Sequence, residues 1–160
     1  MRYMLEQMDD ITDQALDALV DSIAQPIIDA IDCTQCANCC QSLRVYLTRP
    51  DIQVLLQYLT DKESAASEDE LMEQYVELDP TGEELGWFKA RPCAFLKGKL
   101  CSVYAHRPES CRIYPVFTPD FRWTLSDLID GAGLCPIIYN VLDAMVDETE
   151  ALSKRGTTGH

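Results

Sequence analysis

The chain has 160 residues, of which 47% are hydrophobic and 25% charged, as in an ordinary globular domain. Its formal net charge of −14 argues against nucleic-acid binding, which depends on Lys and Arg at phosphates. No apolar run is long enough to cross a membrane and no secretory signal opens the chain, so we expect no membrane partner and a cytoplasmic location for this acidic protein.

The first predicted element is a helix with a buried apolar stripe. Pro26 lacks an N–H group, so we expect this helix to end or kink near Gln25. The stripe consists of Met8, Ile11, Ala15, Leu16, Leu19, Val20 and Ile23, at the spacing of one helix face.

The middle of the chain alternates short elements with turns. "LRVYL" predicts a strand, because its residues favour extended backbone. "TRPD" predicts the start of the helix "PDIQVLLQYL", with Thr48 as cap, Pro50 in the first turn and Asp51 as the acid of a capping box. "TDKESAASEDE" predicts a polar loop, "ELMEQYVEL" a short helix and "DPTGEEL" a turn.

The second half predicts a hairpin between short strands. "GWFKA" and "FRWTLS" are strand candidates, and "CAFLKGKLCSVY" predicts a hairpin that turns at Gly98. "RPESCRIYP" predicts one helical turn between Pro108 and Pro115.

A long final helix is predicted from Pro136, with Lys154, Arg155 and Gly156 at its end. Its expected buried stripe is Ile138, Val141, Leu142, Met145, Val146 and Leu152.

Eight cysteines carry the functional information, at Cys33, Cys36, Cys39, Cys40, Cys93, Cys101, Cys111 and Cys135. In the cytoplasm they are expected to be reduced, which favours metal binding over disulfides. The spacing C-x2-C lets a turning backbone aim successive sulfurs at one metal. Cys39 and Cys40 are neighbours that face opposite sides of an extended chain, so one of them can serve a different site from Cys33 and Cys36.

Several kinds of cysteine centre remain open. An iron–sulfur cluster is favoured by C-x2-C-x2-C with a remote Cys135-Pro136, a partial analogy with the bacterial ferredoxin pattern. Structural zinc is favoured by the all-thiolate donors, although the second half lacks C-x2-C pairs. A thioredoxin-like pair is disfavoured by the extra cysteines and the preceding helix, and the spacing does not match a radical S-adenosylmethionine motif.

Residues around the cysteines suggest how thiolates would be stabilised. Arg107 and Arg112 flank Cys111 and would help to hold it ionised, with ordinary surface ion pairs as an equal alternative. His106 and Arg91 are expected to be surface residues, with metal ligation by His106 as the alternative. Cys135 precedes the final helix, whose N-terminus favours a thiolate; a buried apolar role is the alternative. The aromatic residues expected to form a core around the cysteines are Tyr104, Tyr114, Trp87, Phe88 and Phe95.

The segments "CTQCANCC" and "PCAFLKGKLCSVYAHRPESCRIYP" resemble the CxxCxxCC family of zinc- or iron-chelating domains over roughly Asp32 to Pro115. The resemblance implies metal binding through Cys33, Cys36, Cys39, Cys40, Cys93, Cys101 and Cys111, with Arg107, Pro108, Arg112 and Pro115 as motif partners. Some members of the family are called iron–sulfur oxidoreductases and a related domain occurs in flagellin lysine methylases, but neither activity transfers to this chain.

We therefore expect a helix-rich α+β fold, a small single domain with short strands and a hairpin around a cysteine metal site. Its parts would be an N-terminal helical segment (1–31), a cysteine region (32–135), a C-terminal helix (136–155) and a tail (156–160). All eight cysteines are candidate metal ligands, and the expected function is an iron–sulfur centre with a redox role. The alternatives are a zinc-binding structural or interaction module and a metal carrier without catalysis. A redox or metal-exchange protein is the expected partner, and enzymatic activity is left open.

Overall fold

A computed structural model describes residues 11–62 and 67–156, without the side chains of 152–156. The chain divides into two compact units. The helical unit combines the N-terminal part up to Asp32 with the part from Pro115 onward, and the cysteine unit is Cys33–Tyr114. Helices predominate beside short antiparallel sheets, which confirms the predicted helix-rich α+β class.

The described helices are α1 (Asp13–Ala30), α2 (Cys33–Cys36), α3 (Asn38–Ser42), α4 (Arg49–Asp61), α5 (Glu68–Tyr75), α6 (Glu109–Ile113), α7 (Phe121–Gly131) and α8 (Pro136–Gly156). The described strands are β1 (Tyr46–Leu47), β2 (Val76–Leu78), β3 (Gly86–Phe88), β4 (Leu96–Lys97) and β5 (Leu100–Cys101), and a 3-10 turn covers Tyr104–His106. None of these helices is long and apolar enough to span a membrane.

Helices α1, α7 and α8 pack together in the helical unit. Their buried side chains are Leu16, Val20 and Ala24 on α1, Phe121, Leu125 and Leu128 on α7, and Ile137, Ile138, Val141 and Met145 on α8. The predicted stripe of α8 is thus confirmed at three positions and wrong at Val146, which is 38% exposed. The Leu152 side chain lies outside the described residues.

Helix α1 continues through Pro26 to Ala30, so the predicted end near Gln25 is wrong. The Gln25 side chain donates a hydrogen bond of 2.8 Å to Asp29 Oδ1 and bridges the proline turn. Packing on one face of α1 offsets the single backbone hydrogen bond that proline removes. The predicted stripe residue Met8 lies outside the described residues.

The predicted strand "FRWTLS" is also wrong, because it forms the start of helix α7. The Asp17 carboxylate accepts hydrogen bonds from the N–H groups of Asp120 at 2.9 Å and Phe121 at 3.0 Å. These donors at a helix start have no partner within the helix. Arg122 Nε donates to Asp13 Oδ1 at 2.8 Å. Helix α7 therefore begins on a cap supplied by α1, about a hundred residues earlier in the chain.

Strands β1 and β2 pair with β3 on either side, and both pairs are antiparallel. The strand predictions for "LRVYL" and "GWFKA" are confirmed in part: β1 covers the last two residues of the first segment, and β3 covers the first three residues of the second. The last residues of "ELMEQYVEL", predicted as helix, form β2 instead, because Val76 pairs with Phe88 and both are buried. Helix α5 begins earlier than predicted, at Glu68, capped by the Ser67 hydroxyl; residues 63–66 of the predicted loop lie outside the described residues.

The predicted hairpin is confirmed: β4 pairs with β5, and Gly98 has φ +64° at the turn. The capping box at the start of α4, formed by Thr48 and Asp51, is confirmed as well. Around these elements lies the core of the cysteine unit, made of Val45, Leu47, Ile52, Leu55, Leu59, Leu71, Val76, Phe88, Phe95 and Val103.

Candidate metal centre

The segment "CTQCANCC" folds into the short helical turns α2 and α3, joined at Ala37. Cys33 and Cys36 are three residues apart in α2, so their side chains share one face. Ala37 has φ 60°, a left-handed conformation uncommon for residues other than glycine. It redirects the chain between Cys36 and Cys39, so that α3 starts in a new direction.

Cys39 and Cys40 both lie in helix α3. The expectation that they face opposite sides of an extended chain is therefore wrong; adjacent helical residues point about 100° apart. Their sulfurs lie 4.0 Å apart. The Cys40 carbonyl accepts a hydrogen bond of 2.8 Å from the Cys93 N–H, which joins the first cysteine segment to the second.

Cys93 and Cys101 are held at the open end of the β4–β5 hairpin. The Leu96 N–H donates to the Cys93 carbonyl at 3.0 Å, and Leu96 pairs with Cys101 across the hairpin. Ser102 donates two hydrogen bonds to the Phe95 carbonyl, from its N–H at 2.8 Å and from its hydroxyl at 2.9 Å. Seven residues separate Cys93 from Cys101 in the sequence. The hairpin thus brings these two cysteines to the same place.

Cys111 sits in helix α6, which is anchored to two other elements. The Ser110 hydroxyl donates to the Tyr46 carbonyl of β1 at 2.8 Å. The Glu109 N–H donates to Asp51 Oδ1 at 2.9 Å. Sequence reasoning identified Asp51 only as a helix cap and missed this second contact, because no local pattern links Asp51 to Glu109.

Four thiols are linked by electrostatic effects on pKa. They belong to Cys40, Cys93, Cys101 and Cys111, and we call them the inner thiols. Burial first, and then the nearby Cys93, Cys40 and Cys101 thiols, together raise the pKa of Cys111 from 9.0 to about 12. Burial also raises the pKa of Cys93, with contributions from Cys101 and Cys40. The pKa of Cys101 is raised by burial and by Cys40. The inner thiols therefore form one electrostatic neighbourhood.

The other three cysteines of this unit, Cys33, Cys36 and Cys39, are the outer thiols. Burial first, and then the nearby Cys40 and Cys33 thiols, together raise the pKa of Cys39 from 9.0 to about 12. Cys33 is exposed and Cys36 is half-buried. The outer thiols thus run from a partly buried position beside the inner thiols to the surface.

Arg107 supplies positive charge to the inner thiols and lowers the pKa of both Cys101 and Cys111 against the effect of burial. Its guanidinium lies 3.7 Å from the centroid of the Tyr104 ring, and its Nε donates to the Tyr104 carbonyl at 3.0 Å. Arg112 donates to the Arg107 carbonyl at 3.1 Å. Arg107 therefore compensates thiolate charge directly, whereas Arg112 holds the backbone that positions it.

The aromatic surroundings agree in part with expectation. Phe88 and Phe95 are buried, with ring centroids 5.2 Å apart, and Cys93, Cys101 and Cys111 pack against the same core. Tyr104 was expected in this core, but it is 53% exposed because it supports Arg107 from the surface. The His106 ring stacks on Tyr58 at 4.6 Å between centroids.

Cys135 belongs to the helical unit rather than the cysteine unit. It is buried and directly precedes helix α8, and its carbonyl accepts a hydrogen bond from the Tyr139 N–H at 3.0 Å. The predicted position at the start of the helix is confirmed, while a role as metal ligand stays a prediction.

The donor chemistry of the cysteine unit fits zinc or an iron–sulfur cluster, both of which accept thiolates alone. All eight cysteines are thiols outside any disulfide. Within residues 11–62 and 67–156, no three His, Cys, Asp or Glu side chains are already placed to hold a metal ion. Metal binding would therefore require rotation of the cysteine side chains and release of their protons.

Comparison with known proteins gives one finding. A family model described as "CxxCxxCC: Putative zinc- or iron-chelating domain" matches residues 32–129, more than half of the chain. No curated protein and no solved structure matches. The matched region contains the inner and outer thiols and ends before Cys135. The family match supports metal binding through the cysteines. The zinc or iron named in the family description agrees with the expected cofactors.

Proposed function

Because the chain belongs to the CxxCxxCC family, we propose that the thiols of its cysteine unit hold an iron–sulfur centre with a redox role. The observation that carries this proposal is the meeting of Cys40, from the first cysteine segment, with Cys93, Cys101 and Cys111 from the second. Four cysteine thiolates are the usual ligand set of an iron–sulfur cluster. When bound, such a centre would supply one-electron chemistry.

The surroundings of the inner thiols support a redox centre in particular. Cys93, Cys101 and Cys111 pack against an apolar core, and Arg107 places a positive charge beside two of them. Burial, nearby charge and solvent exposure are the means by which proteins adjust the reduction potential of a cluster. The three cysteines are only partly buried, so electrons would have a short path to the surface.

The cellular setting follows from the chemistry of thiols. They persist in a reducing compartment, so we place the protein in the cytoplasm. Its partner would be a protein that donates or accepts electrons. Cys135 remains a predicted ligand, and metal analysis of Cys135→Ser tests it separately.

Anaerobic purification followed by a spectrum and elemental analysis tests the iron–sulfur proposal. We expect brown protein with broad absorption near about 400 nm, together with iron and acid-labile sulfide. Colourless protein that holds zinc in stoichiometric amount would contradict the proposal, since zinc has no redox chemistry.

A structural zinc module is the second candidate, and one observation favours it. The inner thiols come from α3, the β4–β5 hairpin and α6, so a single ion would tie together elements distant in sequence. A chelator would then unfold the cysteine unit. A metal carrier, the remaining alternative, would instead lose its ion and keep its fold.

A further inference from the structure

We propose that the β4–β5 hairpin and the turn after it form a docking surface for a small acidic electron-transfer protein. We call it the hairpin surface, and its residues are Lys97, Lys99, Leu100, Tyr104 and Arg107. That the partner carries electrons rests on the proposed function, whereas its acidic charge follows from the surface itself.

Charge is distributed unevenly along the sequence. The whole chain has a formal net charge of −14, yet residues 85–108 contain five basic residues and no acidic one. The stretch before it, residues 68–84, contains eight acidic residues and no basic one. The hairpin and the 3-10 turn lie within the basic stretch. The segment that carries Cys93 and Cys101 is therefore positive within an acidic chain.

The cations of the hairpin surface bind neutral groups. Lys99 Nζ donates to the Gln35 carbonyl at 2.6 Å. Arg107 Nε donates to the Tyr104 carbonyl at 3.0 Å, and its guanidinium lies 3.7 Å from the centroid of the Tyr104 ring. Lys97, on the other side of the hairpin turn, is exposed. Because carbonyls and aromatic rings carry no net charge, these contacts leave the positive charge available to carboxylates of a partner.

Exposed apolar side chains lie among these cations. Leu100 is 58% exposed and Tyr104 is 53% exposed. Leu100 pairs with Lys97 across the hairpin, and the side chains of directly opposite residues share one face of a sheet. Apolar and aromatic side chains within a polar rim are the usual composition of a protein–protein interface. The hairpin surface thus offers a partner both apolar contact and positive charge.

The composition of the surface favours a small protein over other anionic partners. Salt screens charges more than about 8 Å apart at physiological ionic strength, so a docked partner responds to the local charge rather than to the net charge of the chain. Weak electron-transfer complexes bury less than about 1,200 Å², which suits a surface of a few residues. Nucleic acids depend mainly on phosphate contacts and would make little use of Leu100. A partner docked at Leu100 would also lie beside Cys101, the next residue in the chain.

Fluorescence anisotropy of a dye-labelled plant-type ferredoxin, a small acidic electron-transfer protein, tests the docking. The full-length, metal-loaded protein purified without oxygen is titrated at about 50 mM and about 300 mM salt, because salt screens charge pairs. Lys97→Glu should weaken binding roughly fivefold at the lower salt and much less at the higher. Leu100→Ser should weaken binding at both salt concentrations, since apolar contact is not screened.

Lys62→Glu is the matched control, because it makes the same change of charge at an exposed position of the same unit. It should leave ferredoxin binding unchanged. Lys97 and Leu100 are both exposed, so metal content and urea unfolding should stay at wild-type values in their variants. Equal weakening by Lys97→Glu and Lys62→Glu would overturn the hairpin surface, because only the net charge would then matter.

Two other results would refute the class of partner. One is tighter binding of a single-stranded oligonucleotide than of ferredoxin at this surface, and the other is self-association of the chain that Lys97→Glu abolishes, measured by sedimentation. Zinc-loaded protein that binds ferredoxin with the expected pattern would support the docking surface and contradict the iron–sulfur proposal. Iron–sulfur protein that does not bind ferredoxin would support the proposed function and contradict the docking surface.

Discussion

Asp51 and Glu109 join two helices of the cysteine unit: Asp51 Oδ1 accepts a hydrogen bond of 2.9 Å from the Glu109 N–H. Its other oxygen, Oδ2, accepts hydrogen bonds from the N–H of Thr48 at 2.9 Å and from the Thr48 hydroxyl at 2.7 Å. The side chain is almost fully buried. One carboxylate therefore starts helix α4 and also anchors helix α6, which carries Cys111.

Asp51→Asn should destabilise the protein by about 2 kcal/mol, because an amide of the same shape loses the charge and offers one oxygen where three donors converge. Metal affinity should fall as well, since Cys111 loses its anchor. Urea unfolding and metal titration measure the two effects. Asp61→Asn, an exposed position in the same helix, is the control. Wild-type stability in Asp51→Asn would contradict the anchoring role.

Arg107→Gln should lower the reduction potential of an iron–sulfur centre, by an amount on the order of tens of millivolts. The guanidinium is the positive charge near Cys101 and Cys111, and its removal disfavours the more negative, reduced state. Redox titration gives the midpoint potential. Arg49→Gln, which removes an exposed ion pair with Glu68, controls for loss of charge elsewhere. An unchanged or higher potential in Arg107→Gln would refute the assignment.

The metal-free chain should lose stability as the pH rises above about 9. Burial raises the pKa of Cys39 and Cys111 from 9.0 to about 12, so the folded chain holds these protons more tightly than the unfolded chain. The resulting stability is complete below pH 9 and is lost between pH 9 and about 12. Urea unfolding at roughly pH 7.5, 9 and 10.5, which span the start of this loss of stability, measures the effect.

Cys111→Ser provides the comparison for this pH dependence. It removes one of the two thiols whose pKa is raised to about 12, so the loss of stability with pH should become shallower. Stability that is constant or rises over the same range would show that these thiols do not hold their protons in the folded state.

Asp17→Ala should destabilise the helical unit by roughly 1–2 kcal/mol, the usual effect of removing a helix cap. The carboxylate accepts hydrogen bonds from the N–H groups of Asp120 and Phe121. In the variant these two N–H groups would lose this acceptor. Thermal and urea unfolding provide the measurement. Gln14→Ala, exposed on the same helix, should have little effect; equal losses in the two variants would mean that the cap contributes nothing.

Local sequence patterns were sufficient to predict the structure wherever the interacting residues are near one another in the sequence. The capping box of Thr48 and Asp51, the hairpin turn at Gly98 and the start of α8 at Pro136 all depend on groups within a few residues. Side-chain hydrogen bonding, φ preference and helix geometry act over that range, so the sequence predicts such elements directly. The eight cysteines likewise indicate metal binding through their number and spacing.

The tertiary structure decided what depends on residues far apart in the chain. Helix α7 replaces a predicted strand because Asp17 caps it from another helix, and β2 forms because Val76 pairs with Phe88. The grouping of Cys40 with Cys93, Cys101 and Cys111 depends in the same way on the hydrogen bond between Cys40 and Cys93 and on the anchors of α6. Spacing identifies which residues can bind a metal, but only folding brings distant sulfurs together, since metal ligands must meet within a few ångströms.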